Sequence, residues 1–234
     1  MDKSSKGNFG IFLSQISRDM WRKLQHIFGY DKSIPMMYFK DIDLINEIID
    51  KVQPKRCLEW GSGLSTIYFP KRLSEPYEWV AVEHFEPWYK KVNERNNDPN
   101  VKLHFVPPNN EKYTDEHNDG SYEDFKDYVE KPEGKFDYIF VDGRARCACI
   151  NKAHDLLNED GVLLLHDANR EYYHDCFGKY THNFFLEDKR KKGVAGIWIA
   201  TKGRGIDKLI DTEKHRGIWE LHEKLHYLIK GKRK

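Results

Sequence analysis

Four acidic residues stand at the ends of short apolar runs: Glu59 in "KRCLEW", Glu83 in "WVAVE", Asp142 after "KFDYIFV" and Asp167 after "GVLLLH". Asp142 and Asp167 flank chemistry that moves a proton, because Asp167 directly follows His166. An imidazole has its reference pKa near working pH and suits a general base. Two carboxylates could also share a divalent metal such as Mg²⁺, which would acidify and orient a bound hydroxyl. Asp142, His166 and Asp167 are therefore the candidate catalytic residues, with Asp142 and Asp167 as the candidate metal ligands. A histidine in a strand can equally be a hydrogen-bonded core residue.

Glu59 precedes Gly61-Ser62-Gly63, a glycine-rich turn. A dinucleotide fingerprint wants a third glycine three residues after the second, and Thr66 occupies that place. A carboxylate sits poorly beside a pyrophosphate but suits a cationic ligand. S-adenosylmethionine carries an ammonium and a sulfonium and has no phosphate, and the glycines would let it pass close to the turn. Glu83 lies 20 residues beyond Gly63, where an acid can accept both ribose hydroxyls. The expected cofactor contacts are Glu59, Trp60, Gly61, Ser62, Gly63, Ser65, Glu83, His84 and Asp142. A solvated strand end for Glu83 and an acid capping nearby amides for Glu59 are the structural alternatives.

Beside these acids lie groups suited to an acceptor. Arg144 and Arg146 in "GRAR" could neutralise Asp142, hold an anionic acceptor such as a uronic acid, or pair at the surface. "NREYYHDCFGKY" brings Arg170, Tyr172 and Tyr173 just after Asp167, a set that suits a sugar or a phenol and equally a packed connector.

The elements that must position these groups alternate along the chain. A helix is expected over 41–52, a strand in "KRCLEW", a helix over 64–73, a strand over 79–83 and a helix over 86–96. Strands follow at 101–106 and 135–143, a helix at 145–158, a strand at 161–167, a closing pair in 181–186 and 193–203, and a helix over 217–230. Such alternation gives an α/β, doubly wound, mostly parallel sheet covered on both faces, with ligands beyond the carboxyl ends of its strands. Residues 1–38 are expected to form a helical extension and residues 39–234 the main domain. Residues 11–28 form an amphipathic helix with Leu13, Ile16, Met20, Leu24 and Ile27 on one face. That face is expected to pack on its own domain, with docking to a membrane surface or partner as the alternative.

On these motifs the chain resembles class I S-adenosylmethionine-dependent methyltransferases. "LEWGSGLST" looks like their first motif, "VAVEH" like their second, "FDYIFVDG" like the fourth-strand motif and "LNEDGVLLLHD" like the loop and fifth strand. The resemblance covers about residues 40–200. It implies a Rossmann-like sheet of seven strands, the last antiparallel. "VDG" followed by "HD" is similar to a branch of small-molecule and glycan O-methyltransferases, which implies a hydroxyl acceptor on a sugar or other small molecule. Catechol-type relatives have Asp-Asn where this chain has Asp167-Ala168, a departure that bears on the metal. A cofactor-binding module without turnover and an RNA or protein methyltransferase are the alternative functions.

Bulk properties narrow the classes further. The 234 residues carry 39 Lys and Arg against 38 Asp and Glu, a net charge of +1 that gives no reason to expect a nucleic-acid partner. The basic runs at 189–193 and 230–234 read as a solvated loop and a tail. No secretory signal or membrane-length apolar run is evident. Cysteines at 57, 147, 149 and 176 show neither disulfide-framework nor zinc spacing, so reduced thiols and a cytoplasmic setting are expected.

Overall fold

Near-continuous apolar runs such as "FDYIFV" and "VLLLH" are what a parallel strand buried on both faces requires. The computed structural model describes residues 3–28, 34–114, 119–191 and 193–231. Lys192 and residues 232–234 of the two basic runs lie outside them. Seven strands form one sheet: β1 (Arg56–Trp60), β2 (Glu78–Glu83), β3 (Val101–Phe105), β4 (Phe136–Val141), β5 (Leu157–His166), β6 (His182–Leu186) and β7 (Ile197–Thr201). Their spatial order is β3-β2-β1-β4-β5-β7-β6. Strands β1 to β5 pair in parallel, and β7 runs antiparallel to both β5 and β6. The expected doubly wound sheet with an antiparallel last strand is present.

Among the described residues, seven α-helices accompany it: α1 (Lys3–Ile27), α2 (Phe39–Val52), α3 (Leu64–Tyr68), α4 (Glu86–Arg95), α5 (Lys126–Glu130), α6 (Arg146–Leu156) and α7 (Thr212–Lys230). Alternate residues of β4 feed two cores. Tyr138 and Phe140 pack with Ile45 and Ile49 of α2 and Trp219 of α7. Ile139 and Val141 pack with Tyr128 of α5 and Ile150 of α6. The helix expected over 64–73 stops at Tyr68 and tightens into a 3₁₀ turn, Phe69–Arg72, because Pro70 has no N–H to continue the ladder. Strand β5 begins four residues earlier than expected, at Leu157, which is buried and pairs with Phe136.

Two expectations are corrected. Cys147 and Cys176 are disulfide-bonded, with Cα atoms 5.7 Å apart, whereas Cys57 and Cys149 are free and buried. A 3₁₀ run, Glu171–Lys179, folds back along α6 and brings the pair together across 29 residues, a proximity that sequence spacing does not reveal. Of the apolar stripe of α1, Leu13, Met20, Leu24 and Ile27 face outward instead of packing, while Ile16 is half-buried. The buried positions of the helix are Phe12, Gln15 and Asp19. Polar partners explain the inversion: His222 of α7 meets the Gln15 amide oxygen at 3.0 Å, and Asp43 of α2 takes the Arg18 guanidinium at 2.9 Å. Among the described residues, no helix is long and apolar enough to cross a membrane.

Candidate active site

The turn after β1 is built around Glu59. Its carboxylate is fully buried and accepts hydrogen bonds from Ser65 Oγ, Thr66 Oγ1 and, at 2.9 Å, Trp79 Nε1. Thr66 Oγ1 in turn accepts the Gly63 N–H at 2.9 Å, so Glu59 and Ser65 shape the turn from behind. Glu59 does not reach the ligand side, where it was expected. Trp60 is likewise turned away: its indole donates to the Tyr128 carbonyl in the core beneath the sheet, leaving only its backbone near the site.

Burial raises the Glu59 carboxyl to about 7 against the pull of its three donors. The folded chain therefore holds a proton there that the unfolded chain releases above its ordinary value of 4.5. Stability is expected to fall as pH rises from about 4.5 to about 7, by on the order of 3 kcal/mol. Urea unfolding of the parent and of Glu59→Gln across that window checks this. The parent should show the downward slope and the variant should lack it.

Gly61 follows in a left-handed conformation, φ +94°, and its Cα packs against the turn after β4. Ser62 donates from both its amide (2.9 Å) and its hydroxyl (3.0 Å) to Glu83 Oε2 at the end of β2. The other Glu83 oxygen accepts the amides of His84 and Phe85 at 2.9 and 2.8 Å. Glu83 thereby locks the β1 and β2 turns together, with His84 buried against Phe125 and Tyr128, so neither side chain lines the cleft as a cofactor contact was expected to do. A cleft of about 200 Å³ opens over this turn, lined by Pro35, Met36, Met37, Gly61 to Ser65, Trp88 and Asp142. Trp88 holds its rim by donating to the Ser62 carbonyl at 2.6 Å.

Asp142, His166 and Asp167 come together at the carboxyl ends of β4 and β5. Asp142 Oδ1 lies 3.1 Å from His166 Nδ1, and Asp167 Oδ1 lies 3.9 Å from the same nitrogen. Arg146 ties the two strand ends. It donates to the carbonyls of Gly143 (2.9 Å), Asp142 (3.2 Å) and His166, and stands 3.3 Å from Asp142 Oδ1. Burial alone would raise the Asp142 carboxyl, but His166, Arg146 and Arg144 hold it below the usual aspartate value. Burial opposes charge on His166, yet Asp142, Asp167 and the buried Asp41 of α2 lift it to about 9.

Asp167 has a second occupation. It sits at φ +56° and accepts the Ala195 amide at 2.6 Å, while Arg170 approaches its other oxygen at 3.6 Å. The donor set does not fit a divalent metal. The two carboxylates face the His166 ring and two guanidinium groups, which already supply the opposing charge. Among the described residues, no group of three or more His, Cys, Asp or Glu side chains is placed to hold an ion.

The acceptor candidates divide. Arg144 stays beside Asp142, its Nε buried without a hydrogen-bond partner. Tyr173 is fully buried and its hydroxyl accepts from Arg170 at 2.9 Å, so it cannot face an acceptor as expected. Arg170 and the exposed Tyr172 line a second groove, about 570 Å³, with Asn169, Glu187, Lys189 and Lys191. Asn169 shapes its far wall by donating to the carbonyls of Asp188, Lys191 and Val194. Sequence reasoning missed the cleft wall at Pro35 to Met37 and the rim residue Trp88. The proline-bounded "IPMM" is the one local signal that the first of these left.

No protein-family model matches the chain, and no curated protein matches it. Solved structures do. A protein from Klebsiella pneumoniae provisionally named an O-methyltransferase superposes with TM-score 0.55 at 15% identity, covering 73% of this chain and 84% of that one. A protein from Staphylococcus aureus provisionally named a caffeoyl-CoA O-methyltransferase gives 0.53 at 17%, covering 86% and 100%. A methyltransferase-like protein from Silicibacter pomeroyi gives 0.53 at 16%, covering 79% and 97%. The fold is the Rossmann-like fold of methyltransferases. On that fold the Gly61 turn, Glu83 and Asp142 all stand at the carboxyl ends of the central strands, where ligands bind.

Proposed function

We propose that this protein is an S-adenosylmethionine-dependent methyltransferase acting on a hydroxyl of a sugar or other small molecule. The observation that carries the reading is the cleft over the Gly61 turn, where Gly63 is extended and a Cβ there would meet Ser65 Oγ at 3.5 Å and Trp88 Nε1 at 3.7 Å. Nothing in the fold demands a glycine at 63, since a Cβ would make only ordinary contacts, so the bare backbone there suits close approach by a ligand. The cleft, with Asp142 on one side and Trp88 at its rim, suits a nucleoside-sized ligand, and Glu83, its oxygens taken by Ser62, His84 and Phe85, shapes the turn from behind.

The bound cofactor supplies a methyl group on a sulfonium, already a good leaving group. The chain's own task is to aim the acceptor oxygen and accept its proton. Asp142 borders the cleft with Arg144 close to it, and the groove beside Arg170 and Tyr172 offers hydrogen-bonding groups for an acceptor. His166 in its neutral form takes the proton. Asp142 fixes the Nδ1 side of the ring and stabilises the imidazolium that results, while Arg146 holds the two strand ends in register.

Thermal melts test the cofactor assignment. S-adenosylhomocysteine is expected to raise the midpoint and NAD to leave it unchanged, since only a ligand bound by the native state stabilises it. Glu83→Ala removes the acceptor that holds Ser62 and the His84 amide, so the turn is expected to loosen and S-adenosylhomocysteine binding to weaken by about 1.5–3 kcal/mol, the scale of hydrogen bonds to a charged group. A midpoint shift with NAD alone would overturn the assignment.

A further inference from the structure

Helix α1 presents to solvent the side that an ordinary packed helix would bury. Leu13, Met20, Leu24 and Ile27 recur at helical spacing along one face, with Met20 61% and Ile27 75% exposed. Trp21 and Phe28 extend the stripe on one margin, both exposed. The inward face is complete without them, because Gln15, Arg18 and Asp19 have polar partners on α2, α7 and the Phe39 amide. Helix α7 lies alongside in the same direction: Asn8 reaches the Lys214 carbonyl, and Phe12 and Gln15 both meet His222. Its last turn therefore stands level with the second half of α1, and it adds Leu228 and Ile229, both exposed, to the same end of the molecule.

Basic residues border this apolar surface. Lys23 is exposed on the margin opposite Trp21, and α7 closes on Lys230. Arg18 and Arg22 of α1 are engaged on its inward side, so Lys23 is the exposed α1 cation beside the stripe, with Lys230 at the tip of α7. We propose that α1, together with the tip of α7, is an interfacial anchor that lays the protein on an anionic lipid bilayer. A narrow apolar stripe with a tryptophan at its edge and cations on its shoulders matches the boundary between acyl chains and headgroups. A second copy of the chain docking antiparallel on this face would set one basic margin against another. Anionic headgroups meet the same margin with opposite charge.

The anchor is joined to the cleft. Arg22, on the inward side of α1, donates to the Pro35 carbonyl at 2.9 Å and to the Met37 carbonyl. Pro35 to Met37 are the cleft wall, so the helix braces the rim of the site directly. The inference does not depend on the methyltransferase reading.

Co-sedimentation of the full chain with vesicles of phosphatidylcholine, with and without phosphatidylglycerol, tests it. The protein should pellet with the phosphatidylglycerol vesicles, less so in high salt. The double variant Leu24→Glu/Ile27→Glu should bind about tenfold more weakly or worse, with an unchanged melting midpoint because both side chains are exposed. Lys23→Glu should weaken binding to the anionic vesicles alone. Failure to pellet with either vesicle would overturn the proposal, as would equal binding to both. A parent dimer in sedimentation velocity that the double variant dissociates would assign the face to a second copy instead.

Discussion

Exchanging Asp142 for Asn is expected to lower turnover about 10²-fold or more while leaving the fold and the binding of S-adenosylhomocysteine intact. The substitution is nearly isosteric, and the Asp142 side chain contacts His166 and Arg146 rather than the core. The pH profile carries the sharper signature. In the parent, His166 is held near 9, so its neutral fraction falls about tenfold for each pH unit below that value and the rate should climb with pH until about 9. The Asn variant removes the largest charge that raises His166, so the rising limb should move to lower pH while the plateau drops. Added chelator should leave the parent rate unchanged, because the carboxylates here are matched to protein cations. Release of S-adenosylhomocysteine across a pH series measures all three effects. An unmoved limb would separate Asp142 from the proton transfer, and restoration of a chelator-inhibited rate by Mg²⁺ would reinstate a metal.

The second large effect is predicted at Gly61. A Cβ there would stand 2.4 Å from Gly143 Cα, 2.5 Å from Gly143 N and 2.7 Å from the Asp142 carbonyl carbon, all backbone atoms that no rotamer change can move. The left-handed φ of +94° adds strain for any side chain. Gly61→Ala should therefore cost on the order of 3–5 kcal/mol of stability. Gly63→Ala is the matched control: its added methyl meets only ordinary contacts, so folding should survive while the cleft narrows. Denaturant melts and S-adenosylhomocysteine titrations should show the first variant failing in stability and the second in ligand affinity. A Gly61→Ala protein as stable as the parent would mean that the two turns can separate freely.

The strands and the four acidic strand ends were legible because buried parallel strands write themselves as unbroken apolar runs, and the runs ending at Glu59, Glu83, Asp142 and Asp167 carry an acid there. Which way each acid faces was not. Glu59 beside two glycines reads as a ligand contact, but its donors Ser65, Thr66 and Trp79 converge on it only once β2 is laid beside β1. Tyr173 and Tyr172 look alike in sequence, and the 3₁₀ run buries one and exposes the other. The stripe on α1 misled for a related reason. Periodicity reports that a helix has two faces, whereas polar partners on α2 and α7 decide which of them turns inward.

The parallel course of α1 and α7 also governs how the chain could be rewired. Because the two helices run the same way, residue 3 and Gly231 lie near opposite ends of the pair, roughly 30 Å apart at 1.5 Å per residue. Head-to-tail cyclisation or circular permutation would need a connector of at least about nine extended residues to span that gap. A shorter tether would have to peel one helix from the other, and with it the Arg22 brace on the cleft wall.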